Sequence, residues 1–144
     1  GYLLNTCAEA VEFVNQVDVP NVKVMLDTFH MNIEEDSMTE AILLAGDKLG
    51  HFHVGENNRR LPGKGNMPWG EIGSALRAIG YNKNIVMEPF VCSGGGIGSD
   101  IKVWRDMSNQ ATIEQLDKDA ADSVAYLRYV LSGPHSNYKS VLLK

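Results

Sequence analysis

Val22-Lys23-Val24-Met25-Leu26-Asp27, Gly50-His51-Phe52-His53-Val54 and Ile85-Val86-Met87-Glu88-Pro89 are the runs that decide the fold. Each is a short, largely apolar run with β-branched residues that meets a polar residue or a proline, as strands do. What lies between and around them follows a helical period. Leu3, Leu4, Cys7, Ala8, Val11 and Val14 predict an amphipathic helix over about residues 2–16, and Val19-Pro20-Asn21 breaks it. Ser37 with Glu40 reads as a capping box that opens a helix to about Lys48. Pro68 suits a first helical turn, and Trp69, Ile72, Leu76 and Ile79 give a stripe that ends at Gly80. Thr112 with Gln115 is a second capping box. It opens a last helix through Ile113, Leu116, Ala120, Val124 and Leu127 to about Leu131, where Ser132-Gly133-Pro134 stops it. Residues 55–67 and 90–111 read as loops. The order α-β-α-β-α-β-α argues an α/β fold with a parallel sheet and helices packed against it.

The chain has 144 residues, 44% hydrophobic and 22% charged, which excludes a collagen, a coiled-coil rod and a disordered tail. Thirteen Lys and Arg against 18 Asp and Glu give a net charge of −5 with no basic block, so nucleic acid is not an expected partner. No apolar run approaches the ~20 residues of a membrane span. There is no signal-peptide pattern, and Cys7 and Cys92 read as reduced thiols, so a cytoplasmic location is expected. The expected division is one unit over 1–131 and a tail over 132–144. His135 falls in that tail and is read as inert.

Asp27, His53 and Glu88 stand at or next to the C-terminal ends of the three strands, the ends that carry active sites in parallel α/β proteins. Two carboxylates and an imidazole make an oxygen/nitrogen donor set suited to Mn²⁺, Mg²⁺, Co²⁺ or Fe²⁺. Each residue has a bland alternative: Asp27 bonding loop amides, His53 satisfied in a core, Glu88 in a rim ion pair. Equivalent placement of all three favours a shared site. His30 and Arg59, just past the first two strand ends, read as holders of substrate hydroxyls or as surface residues. Glu56, Arg60 and Lys64 read as a solvated loop. Strand alternation is taken to turn His51 away from His53. Gly94-Gly95-Gly96-Ile97-Gly98 is a weak phosphate-loop signal that lacks the Lys-Ser/Thr pair and reads as a flexible loop. Phe90 and Trp104 read as an apolar wall or as packing residues.

LDTFHMNIEE (26–35), HFHVGENNRRLPGKGNMPW (51–69), VMEPF (86–90) and DIKVWRD (100–106) resemble the ketose 3-epimerases, the psicose (allulose) and tagatose epimerases of the xylose-isomerase-like TIM barrels. The resemblance covers nearly the whole chain. It implies part of a (β/α)8 barrel, about the last three βα units preceded by one helix. It also implies one divalent metal, usually Mn²⁺, with Asp27, His53 and Glu88 as three of its four ligands. His30 and Arg59 match sugar-binding positions. The implied reaction moves a proton at C3 of a free ketose, of the D-fructose/D-psicose or D-tagatose/D-sorbose type, through a cis-enediolate. One glutamate, Glu88, would act on one face and a second glutamate on the other, with the metal polarising the carbonyl and stabilising the enediolate. The family's fourth ligand and second glutamate lie on a strand before the first helix, at positions that fall before Gly1. The resemblance therefore implies impaired catalysis, and self-association through open barrel edges or a missing N-terminal segment. The alternatives are another xylose-isomerase-like enzyme, of hydroxypyruvate or rhamnose isomerase type, and an inactive oligomerising fragment that at most binds metal.

Overall fold

The computed structural model describes residues 3–133. Three parallel strands, β1 (Val24–Asp27), β2 (Leu49–Val54) and β3 (Ile85–Met87), form one open sheet in the order β1-β2-β3. Among the described residues, six α-helices accompany it: α1 (Cys7–Val17), α2 (Thr28–Glu34), α3 (Met38–Ala45), α4 (Trp69–Ala78), α5 (Gly95–Asp100) and α6 (Ile113–Ser132). This is an incomplete (β/α) barrel-type fold, with three βα units preceded by one helix as expected.

Local chemistry sets the boundaries. α1 begins at Cys7, later than the apolar period suggests. Thr6 accepts the Glu9 N–H, and the Glu9 carboxylate accepts the N–H groups of Asn5 and Thr6 at 2.7 and 2.9 Å, a full capping box. Leu3 and Leu4, expected on the helix face, precede it and are exposed. At Ser37 only half of the expected box forms, the hydroxyl accepting the Glu40 N–H at 3.2 Å, and a 3-10 turn over Gly46–Lys48 follows α3. α4 closes in a Schellman motif: Tyr81 N–H donates to Leu76 O and Gly80 N–H to Arg77 O, with Gly80 at φ +65°. The Thr112–Gln115 box opens α6 as expected. Its C-terminal carbonyls are held by Arg77, whose guanidinium donates to Leu131 O at 2.7 Å. The end of the expected tail, including His135, lies outside the described residues.

Two helices depart from the sequence reading. α2 follows β1 without a loop, because Asp27 ends the strand and caps the helix at once, its carboxylate accepting the N–H groups of Phe29 and His30. α5 forms within the glycine-rich stretch, which is therefore a short helix and not a flexible loop. Helix-poor residues there hid it from a propensity reading.

The core lies between the sheet and its helices. Ile42, Leu49, Phe52, Val54 and Ile72 are completely buried. Cys7 packs into this cluster with its thiol donating to Ala41 O at 3.1 Å, and burial raises its pKa to about 11. Burial likewise raises the Tyr81 phenol to about 12. Both groups are held neutral by the fold, so they stabilise it fully below their unfolded values and lose that contribution as pH rises through the folded ones. The melting temperature is expected to fall as pH rises from about 9 towards 11. Cys7→Ala should flatten the first part of that fall, and an unchanged slope would assign the alkaline sensitivity elsewhere.

Candidate metal centre

Side chains two residues apart on a strand share a face, and parallel register partners share it too. Met25 pairs with His51, Asp27 with His53, and His53 with Val86. Asp27, His53 and Glu88 therefore project from one face, with Glu88 two residues past Val86. Phe52 and Val54 point to the other face, into the core. The Glu88 N–H donates to Val54 O at 3.1 Å, which continues the ladder past the end of β3. Thr28, fully buried, locks the first two strand ends: its hydroxyl donates to Gly55 O at 2.7 Å and accepts Gly55 N–H at 2.9 Å.

At the cluster, His53 Nδ1 lies 3.1 Å from Glu88 Oε2 and 3.7 Å from Asp27 Oδ2. One ligand atom from each of the three residues lies within 4.8 Å of the others. Two ligands at right angles on a cation with ~2.1 Å bonds stand about 3 Å apart, so the spacing fits a shared divalent ion. The donor set, two carboxylates and one imidazole, fits the same class of ion. Asp27 is nearly buried, and its Oδ1 takes the Phe29 N–H at 2.8 Å, which fixes its orientation. Glu88 is 43% exposed and so faces solvent from the open side.

Arg59 sits on the loop after β2. Its guanidinium carbon stands 3.4 Å from the centroid of the Phe29 ring and 5.5 Å from that of Phe90, a pair of cation–π contacts. Desolvation lowers its pKa, while the charges of Asp27 and Glu88 oppose that shift, so the guanidinium lies within the field of both carboxylates. His30 lies on α2, exposed, with its ring edge-on to Phe29 at 5.3 Å. It lines a groove of about 350 Å³ between α1 and β1.

Three expectations need correction. His51 does not turn away from His53, because residues two apart on a strand face the same way. Their ring centroids are 4.9 Å apart in an edge-on contact. Glu56 is not solvated but completely buried, and its carboxylate accepts three N–H groups. Trp104 is neither wall nor core: it is 80% exposed, with Lys102 over its ring at 5.6 Å. Phe90 packs beside Arg59, its ring centroid 5.5 Å from the guanidinium carbon.

A family model described as "Xylose isomerase-like TIM barrel" matches residues 1–128. The D-psicose 3-epimerase of Agrobacterium fabrum is 63% identical over 132 residues, which cover 92% of this chain and 46% of that protein. That of Ruminiclostridium cellulolyticum is 62% identical over 130 residues, 90% of this chain and 44% of that protein. The chain belongs to the ketose 3-epimerase family of xylose-isomerase-like TIM barrels. A crystal structure of a D-psicose 3-epimerase in the presence of D-fructose superposes with a TM-score of 0.90 at 62% identity, covering 92% of this chain and 46% of that one. The chain thus spans about half the length of the curated relatives it matches.

Within this family frame, the Asp27, His53 and Glu88 side chains are a candidate ligand set at the strand ends. Mn²⁺ is expected to raise the melting temperature, since a ligand held by the folded chain alone stabilises it by about 2.7 kcal/mol at a hundredfold excess over Kd. His53→Ala should abolish the rise. A rise that survives this substitution would place the ion at other residues.

Proposed function

We propose that this chain carries the metal- and proton-handling part of a ketose 3-epimerase site, acting on a free ketose of the D-fructose/D-psicose or D-tagatose/D-sorbose type. The observation that carries this reading is the convergence of Asp27, His53 and Glu88 at the strand ends beneath a desolvated Arg59. Asp27, His53 and Glu88 would hold one divalent ion, Mn²⁺ in our reading. When bound, such an ion supplies Lewis-acid polarisation of the ketose carbonyl.

The protein's residues divide the remaining work. A proton on C3 is acidified by the neighbouring C2 carbonyl, because the electron pair left behind delocalises onto the carbonyl oxygen. Glu88 is the base we assign to it, since its carboxylate is the most exposed of the cluster and has His53 as its hydrogen-bond partner. Asp27 is committed by the N–H groups of Phe29 and His30 to holding its place. Arg59 presents a guanidinium fork held against the Phe29 ring, a set of donors fitted to sugar oxygens near the carbonyl end. His30 is assigned to the same end of the sugar.

Net epimerisation needs a second acid/base on the opposite face of C3. Among the described residues the cluster holds a single glutamate, so proton exchange at C3 should outrun net epimerisation. We also propose that the free edges of β1 and β3 are closed by further strands, with self-association as the outcome for the chain alone. The 1–131 unit with a 132–144 tail and the cytoplasmic location stand as part of the same proposal.

The decisive experiment follows deuterium incorporation at C3 of D-fructose and D-tagatose in D₂O with Mn²⁺. Incorporation is expected, with a fall of about 10² or more in Glu88→Gln. No incorporation by a chain shown to be folded, or full incorporation by Glu88→Gln, would overturn the assignment. Sedimentation should show species heavier than 15.8 kDa, and a monodisperse monomer would remove the association claim.

A further inference from the structure

Glu56 is a fully buried carboxylate in a loop whose other ionisable side chains reach solvent. A buried carboxylate is strongly destabilising unless its oxygens are satisfied. Here they are satisfied by donors from two points of the segment that joins β2 to α4 and from the first residue of α4 itself. Oε1 accepts the Gly63 N–H at 2.6 Å and the Trp69 indole N–H at 2.7 Å, and Oε2 accepts the Met67 N–H at 3.1 Å. The loop is built closely around this group. A Cβ at Gly65 would collide with the Glu56 carboxylate, so a larger residue there would have to displace it.

The backbone of Glu56 forms the other half of the device. Its N–H donates to Arg60 O at 3.1 Å, and its carbonyl accepts the Arg59 N–H at 3.0 Å. Arg59 is thereby held at φ +65°, a left-handed conformation that costs a non-glycine residue about 1–2 kcal/mol. The strained residue is the one whose guanidinium lies over Phe29 and whose carbonyl accepts the Phe90 N–H at 2.8 Å. From outside, α6 braces the same loop, with Ser123 donating to Pro62 O at 2.8 Å.

We infer that Glu56 is a positioning residue: its buried carboxylate closes the 55–68 loop and so holds Arg59 in its left-handed turn with the guanidinium over Phe29, facing the Asp27–His53–Glu88 cluster. The geometric part stands on the contacts alone. Its consequence for ketose binding rests on the reading of Arg59 given under Proposed function.

Nuclear magnetic resonance of the full chain separates the two. A guanidinium proton above the face of an aromatic ring is shielded by the ring current, so the Arg59 Nε–H signal, assigned by its loss in Arg59→Lys, is expected upfield. In Glu56→Gln, which puts an NH2 donor against the loop's own donors, that displacement should collapse while Mn²⁺ affinity is kept. An Arg59 signal that stays in place in a folded Glu56→Gln chain overturns the inference. If Glu56→Gln does not fold, Trp69→Phe removes one donor and keeps the aromatic core residue. A smaller move of the Arg59 signal in the same direction supports the inference, and an unmoved signal again overturns it. In C3 exchange, Glu56→Gln should raise KM about tenfold with little change in kcat, the pattern of a lost orienting contact. A displaced Arg59 signal with unchanged KM would support the positioning role of Glu56 and remove Arg59 from ketose binding.

Discussion

Everything at the site depends on the level ends of three parallel strands. Hydrogen bonds in a parallel ladder are evenly spaced, so once two strands are in register their C-terminal ends are fixed relative to each other. The pairs Asp27–His53 and His53–Val86 set that register, and Glu88 extends it through its N–H to Val54 O. A slip of one residue would send His53 into the helix-covered face and Phe52 out of it. The apolar face forbids the slip: Phe52 and Val54 are completely buried, so the register that keeps them inside also brings the polar residues together. Thr28, with two bonds to Gly55, ties the first two strand ends where the ladder stops.

Two glutamates on this scaffold show how environment divides labour between identical side chains. Glu56 is sealed from water and saturated with N–H donors, so its charge is spent on shaping a loop. Glu88 is 43% exposed, and among the described residues its side-chain partner is His53, so lone pairs remain free for a proton or a cation. Asp27 stands between these extremes, one oxygen capping α2 and the other facing His53. The same comparison explains why Arg59 can be held in a strained turn: the bonds closing the loop offset a local cost of about 1–2 kcal/mol.

The strands and the triad at their ends were legible because the signals are local. β3 spans Ile85–Met87 as read, and Asp27, His53 and Glu88 fall where each run meets polar residues. Glu56 was illegible because a charge between Gly55 and Asn57 in a polar stretch looks solvated, and its donors come from seven to thirteen residues downstream. α2 was hidden because Asp27 serves two elements at once, leaving no loop to mark a boundary. His51 was misplaced by applying alternation one residue out of step: with a period of two it must lie beside His53. α1 began late because the Thr6–Glu9 box outweighs the apolar period of Leu3 and Leu4.

The face that carries the Asp27–His53–Glu88 cluster is also the face the helices leave uncovered. Met25, mid-strand and 55% exposed, shares it with Asp27, His51 and His53. An apolar side chain in the middle of a strand is stabilised by being covered, and among the described residues β1 presents an unpaired edge beside it. A strand laid parallel on that edge would shield Met25. By the same register rule it would bring its own C-terminal residue level with Asp27. Shielding Met25 and bringing a further residue to the Asp27–His53–Glu88 cluster would therefore be one geometric event. That coupling links the cluster of three candidate ligands to the sheet edge that is free among the described residues.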